Sequence, residues 1–220
     1  MNRLRTIVAI ATVAATAAGA TAMAAKPPKP PASRLSISAS STHVVYGGAL
    51  TIFGSLTGAG NANAATTVQQ APFPYTHFAN LASGRTNALG AYSFGGIRPG
   101  VNTRYRVHAK GVTSATLQVF VRYRVSLSVS DSTPKRGQLV RFSGVVSPAA
   151  NGRLLLLQRR GSDGVFRTTG RTTLLPRSAT SVQFSLSKRI FSSGVYRAHI
   201  GADASHDPGN SRTRSLRAHR

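Results

Sequence analysis

The chain has 220 residues, with 28 Lys and Arg against four carboxylates, a formal net charge of +24, no cysteine, no tryptophan and 41% hydrophobic residues. The acids are Asp131, Asp163, Asp203 and Asp207, and there is no glutamate. Carboxylate pairs, thiol chemistry and acidic metal sites all need convergent groups that this composition scarcely supplies, so no catalytic residue, metal ligand or cofactor is expected.

The chain opens on Met1-Asn2-Arg3-Leu4-Arg5, followed by an uncharged Ala/Val/Ile-rich run to about Gly19 and by Ala22-Met23-Ala24. A basic start, an apolar middle and small residues at the end read as a secretory signal peptide over 1–24, cleaved after Ala24. The run is too dilute in Leu and Ile for a transmembrane helix. Residues 25–33, around Lys26-Pro27-Pro28-Lys29-Pro30-Pro31, form a Pro-rich spacer that favours polyproline II. Without a cysteine at the cleavage site or a sorting sequence at the C-terminus, the mature chain is expected to be secreted, either free or held non-covalently at the envelope. Packed cores must replace disulfides as the source of stability.

From Arg34 onward short segments alternate at period two between Gly, Pro, Asn and Ser clusters. The alternation predicts strands near 34–40, 48–56, 64–71, 76–84, 90–96, 103–110 and 113–122. A second set falls near 124–130, 138–146, 152–160, 164–171, 179–188, 194–201 and 211–218. The two sets repeat. Leu35-Ser36-Ile37-Ser38-Ala39 matches Val125-Ser126-Leu127-Ser128-Val129, and Tyr46 to Leu56 matches Arg136 to Val146. Tyr105 and Tyr196 fall where a tyrosine corner would open the sixth strand.

Seven strands per copy, with turns every 8–12 residues, predict an all-β chain of two tandem immunoglobulin-like (fibronectin III-like) seven-stranded antiparallel sandwiches, over 34–122 and 123–220. Apolar residues persist at every second position from Leu117 to Val129, across the boundary, so a semi-rigid junction is expected.

Lys135 to Gly144, the run at 155–160, Gly194-Val195-Tyr196-Arg197 and the 201–211 loop resemble bacterial immunoglobulin-like repeats of secreted and surface proteins, of actinobacterial type. Thr86 to Phe94 and Asn102 to Val107 carry the likeness in the first copy. The resemblance implies a fold and an exported location, with roles as spacers, stalks or adhesion modules, and no particular ligand.

The charge is the feature that points to function. Of the 28 basic residues, 17 fall in 124–220, with all four acids. Arg153, Arg159, Arg160, Arg167 and Arg171 lie on two neighbouring strands, and Arg212, Arg214 and Arg217 on or near the last. If they share a face they form a stripe for polyanions: anionic cell-wall polymers, acidic polysaccharide, or extracellular DNA bound without sequence preference. A protein partner is the alternative, at the aromatic loop of Phe73, Tyr75 and Phe78, or these rings pack beneath the turn instead. Asp203, His206 and Asp207 form the densest polar cluster, which reads as a loop whose carboxylates bind local backbone N–H groups.

Overall fold

A computed structural model describes residues 32–220. The signal-peptide reading and nearly all of the Pro-rich spacer therefore lie outside the described residues. The described chain consists of strands joined by turns, and none of it forms a helix able to cross a membrane. In the first half the strands are β1 (Arg34–Leu35), β2 (Ser38–Ala39), β3 (His43–Val45), β4 (Leu50–Thr57), β5 (Ala65–Pro72), β6 (Ala79–Arg85), β7 (Ala91–Ile97), β8 (Thr103–Ala109), β9 (Val112–Thr113) and β10 (Leu117–Arg122). The second half has β11 (Arg124–Val125), β12 (Ser128–Val129), β13 (Gln138–Ser147), β14 (Leu154–Arg160), β15 (Phe166–Thr173), β16 (Leu175–Ser178), β17 (Ser181–Ile190), β18 (Gly194–Ile200), β19 (Gly209–Asn210) and β20 (Arg214–Leu216).

Each half pairs two sheets. In the first, β4 is flanked by β1 and β2 on one side and by β7 on the other, facing a sheet ordered β3-β10-β8-β5-β6. In the second, β13 is flanked by β11 and β12 and by β17, with β16 at the edge, facing a sheet ordered β15-β14-β18 that ends in β19 and β20. Inward positions of the two facing sheets meet in a core. Ile52 and Leu56 of β4 join Val68 of β5, Val107 of β8 and Val119 and Val121 of β10. Phe142 and Val146 of β13 and Val182 of β17 join Leu155 and Leu157 of β14 and Ala198 and Ile200 of β18. Burying each such large aliphatic side chain contributes about 1.5–3 kcal/mol, and the period-two alternation brings them to one side of every strand.

The expected first strand of each copy is divided. Ser36 interrupts it between β1 and β2: its N–H donates to Ser55 O, and its hydroxyl accepts from the Ser55 N–H, each at 2.9 Å. Ser126 repeats the device on Val145 at 2.9 and 2.8 Å. Ser40 on Thr51 and Ser130 on Arg141 repeat it again one turn later. Three short strands, β3, β16 and β19, were not anticipated. β3 runs parallel to β10, through the pairs His43 to Phe120 and Val45 to Arg122. Three residues are too few to show a period. β16 contains Pro176, which restricts it to an edge.

Tyr105 and Tyr196 lie inside the cores, at 0% and 3% exposure. The Tyr105 hydroxyl has no hydrogen-bond partner among the described residues, so Tyr105 fills the core without the backbone hydrogen bond of a tyrosine corner. Burial pushes it up to about 12. A buried tyrosine hydroxyl does bind backbone at Tyr92 of β7, which donates to Ser36 O from across the sheet.

Candidate anion-binding surface and the junction loop

Only Tyr123 separates β10 from β11, and its side chain is buried, so the two halves meet without a linker. The loop of residues 201–208 is folded against this junction. Asp203 Oδ1 accepts from the Ser205 and His206 N–H groups at 2.9 and 2.7 Å, the local turn expected of it. Its Oδ2 accepts from Tyr123 Oη, and from Arg153 Nη1 at 2.9 Å. Burial alone would raise the Asp203 carboxyl, but the hydrogen bonds from Tyr123, Ser205 and His206 outweigh it and hold the group down at about 2.

The same loop reaches the first half. His206 is 6% exposed and donates from Nε2 to Gly100 O at 2.9 Å, while its ring lies 4.8 Å from that of Tyr123. The Asn102 N–H donates to Ser205 O and the Asp207 N–H to Val121 O, each at 2.8 Å, and Asp207 pairs with Arg122 as an isolated parallel bridge. Asp207 Oδ2 sits 3.5 Å from His43 Nε2. Asp203 and His206 thus stay together, with His206 Nδ1 3.5 Å from Asp203 Oδ1, while the Asp207 carboxylate turns away to His43. No group of three His, Cys, Asp or Glu side chains among the described residues is arranged to hold a metal ion.

The arginines expected to form one stripe separate into groups. Arg153 is taken up by the junction, donating also to Gly201 O and Ala202 O at 3.1 and 2.8 Å. Arg159 pairs in register with buried Tyr196 and with Arg167, on the inner side of its sheet, and its Nη2 donates to Ser192 Oγ and Ser193 O. Arg167 forms a two-pronged pair with Asp163 at 2.8 and 2.6 Å. Arg214 donates to Leu127 O. Four remain exposed with no side-chain hydrogen bond among the described residues: Arg160, Arg171, Arg212 and Arg217. Of these, Arg160 and Arg171 fall on the outward face of the β14–β15 pair, because they are in register with Phe166 and with Leu156, between core residues Leu155 and Leu157.

Two further arginines complete a site that strand periodicity could not show. Arg122 and Arg124 stand on either side of Tyr123 and, with Arg212, Val45, Val125 and Asp207, line a groove of about 780 Å³ at the junction. None of the three guanidinium groups donates to a protein acceptor among the described residues. Clustered cations with nearby low-dielectric walls raise the local concentration of anions. Only Arg153 and Arg167, of all the described lysines and arginines, meet a carboxylate.

The aromatic loop neither enters the core nor stands free. Phe73 is 37% exposed and meets Tyr75 edge to face at 5.6 Å, while Tyr75 and Phe78 lie under Arg104 and Arg106 on the outer face of the sheet. Compared with protein-family models and with curated proteins, the chain returns no match.

Proposed function

We propose that this is an exported, non-catalytic protein of two tandem immunoglobulin-like domains that associates with anionic polymers of the envelope or matrix. The fold assignment is supported by the division of the first strand in each copy, with a first part on β4 or β13 and a later part parallel to the last strand. In the first copy that later part is β3 on β10; in the second it is the Lys135–His219 bridge. Equivalent side chains make equivalent bonds, Ser36 with Ser126 and Ser114 with Ser211, the last two accepting from the Val107 and Ala198 N–H groups at 2.9 Å.

The observation that carries the functional reading is the uncompensated charge, concentrated at Arg122, Arg124 and Arg212 around one groove and at Arg160 and Arg171 on one face. A fold alone would not need it, since among the described residues only Arg153 and Arg167 have a carboxylate partner and the other lysines and arginines keep their charge uncompensated. The test is retention of the purified protein on isolated envelopes and immobilised polyanions over a salt series, beside a variant with these five arginines changed to Gln. Counterion release makes affinity fall steeply with salt, and each lost contact lowers the slope by about 1. Retention indifferent to salt and to the five changes would discard this reading. It would instead favour a protein-binding module at the exposed Phe73 loop, with the charge serving solubility.

A further inference from the structure

β8 presents Arg104, Arg106 and His108 outward, while Tyr105, Val107 and Ala109 enter the core. Successive outward positions on one strand lie about 7 Å apart. Both arginines are held from two directions. The Arg104 guanidinium carbon lies 4.3 Å from the Tyr75 ring centre, and its Nε donates to Gln118 Oε1 at 3.1 Å. That of Arg106 lies 4.1 Å from the Phe78 ring centre, and its Nε donates to Gln69 Oε1 at 2.8 Å.

The supports are themselves anchored. Gln118 Nε2 donates to Tyr75 Oη at 3.1 Å and Gln69 Nε2 to Asn80 Oδ1 at 2.8 Å. Tyr75 holds φ at 65°, a conformation an aromatic residue seldom adopts, and it is this turn of the backbone that accompanies the ring's placement beneath Arg104. The terminal nitrogens of both guanidinium groups have no acceptor among the described residues, and the stretch 34–122 contains no acid to supply one. A free surface arginine surrenders about 2 kcal/mol of rotamer entropy when it is fully fixed; here folding has already fixed much of it, which favours binding.

The second half repeats the unit. Arg197 lies 4.1 Å from the Phe166 ring centre and donates from Nε to Gln158 Oε1 at 2.8 Å, again on the outward face. The position of Arg104 is taken there by Val195, so the paired arrangement belongs to the first half alone.

We propose that the outer face of the β5–β8–β10 sheet is a preformed subsite for an anionic glycopolymer, in which Arg104 and Arg106 grip two anionic groups of one chain. This rests on the reading of the protein as a polyanion binder and places the specific grip in the less basic half. Carboxylate and phosphodiester groups both suit the guanidinium fork. Thr67 and His108, in register with each other on the same face, add hydroxyl and imidazole groups for sugar hydroxyls. Single-stranded nucleic acid fits less well, because base stacking needs open aromatic faces and the guanidinium groups cover Tyr75 and Phe78.

The test uses the full chain and three probes: polygalacturonate for carboxylates, a poly(glycerol phosphate) for phosphodiesters, and poly(dT). The variant R104K/R106K keeps the charge and loses the fork; R141K/R177K makes the same change at two exposed arginines elsewhere. Phe78→Leu removes a ring and leaves every charge, and thermal unfolding of each variant checks the fold. The proposal expects R104K/R106K to weaken binding of one or both glycopolymers about five-fold or more, Phe78→Leu to weaken it in the same direction, and R141K/R177K to leave it within about two-fold. The probe that responds identifies the anionic group. Equal binding by the two double variants overturns the proposal and leaves general polyanion association standing. A loss confined to poly(dT) overturns it in favour of nucleic acid. Failure of the unmodified protein to bind any of the probes or the envelope removes both readings together.

Discussion

Arg153 Nη1 and Asp203 Oδ2, fifty residues apart in the chain, meet at 2.9 Å at the base of the loop that joins the two halves of the molecule. Tyr123, the single residue between the last strand of one half and the first strand of the other, donates to the same carboxylate oxygen. An ion pair is here an element of the junction, since it holds the loop whose His206 and Asp207 reach Gly100 and Val121.

Asp203→Asn leaves Arg153 partly buried without its counter-charge and is expected to cost about 2 kcal/mol in urea unfolding. The loss should be local to the junction. Hydrogen exchange at the Asn102 and Asp207 amides should accelerate ahead of the core strands, and unchanged protection at both would show that the loop does not depend on this carboxylate.

The pH response follows from the same group. Its folded value of about 2 lies below the usual aspartate value of about 3.9. The stabilisation it provides is therefore complete above about pH 4 and is lost as the pH falls through 2. Solvent screening at this partly exposed site limits it to the order of 1 kcal/mol. The melting-temperature gap between the unmodified protein and Asp203→Asn should narrow from pH 4 to pH 2; a constant gap would contradict the assignment.

Gly54 and Gly144 occupy equivalent positions on β4 and β13. A Cβ at Gly54 would run into Ser36 O and sit 2.6 Å from the Tyr92 hydroxyl; one at Gly144 would run into Ser126 O and sit 2.8 Å from the Phe184 ring. Gly54→Ala and Gly144→Ala should each destabilise their half by about 2–3 kcal/mol. Gly95→Ala, whose nearest neighbour is 3.7 Å away, should stay within about 0.5 kcal/mol. Chemical denaturation of the three variants settles the comparison, and tolerance of alanine at position 54 would mean that the divided first strand can shift.

Tyr105→Phe removes a buried hydroxyl that has no hydrogen-bond partner among the described residues and keeps the ring that fills the core. The change should be neutral or stabilising by up to about 1 kcal/mol. A loss of more than that in thermal unfolding would show that the hydroxyl does have a partner, such as bound water.

Much of this was legible in the residues themselves. The period-two alternation located nearly every strand of four residues or more, β16 excepted. The recurrence of Leu35 to Ala39 at Val125 to Val129 goes with two clusters of buried residues, one in each half, because inward and outward positions follow directly from strand geometry. The charge imbalance also needs no structure. What tertiary structure alone decided is which charges are available. Arg153 and Arg160 look alike on a strand pattern, yet one is bound to Asp203 from a loop fifty residues away and the other faces solvent. Arg122, Arg124 and Arg212 converge only because the junction folds. Arg104 and Arg106 become fixed only when Gln69, Phe78 and Gln118 arrive from other strands and loops. Periodicity is a property of neighbours along the chain, whereas the state of a guanidinium group depends on partners that folding brings from far along it.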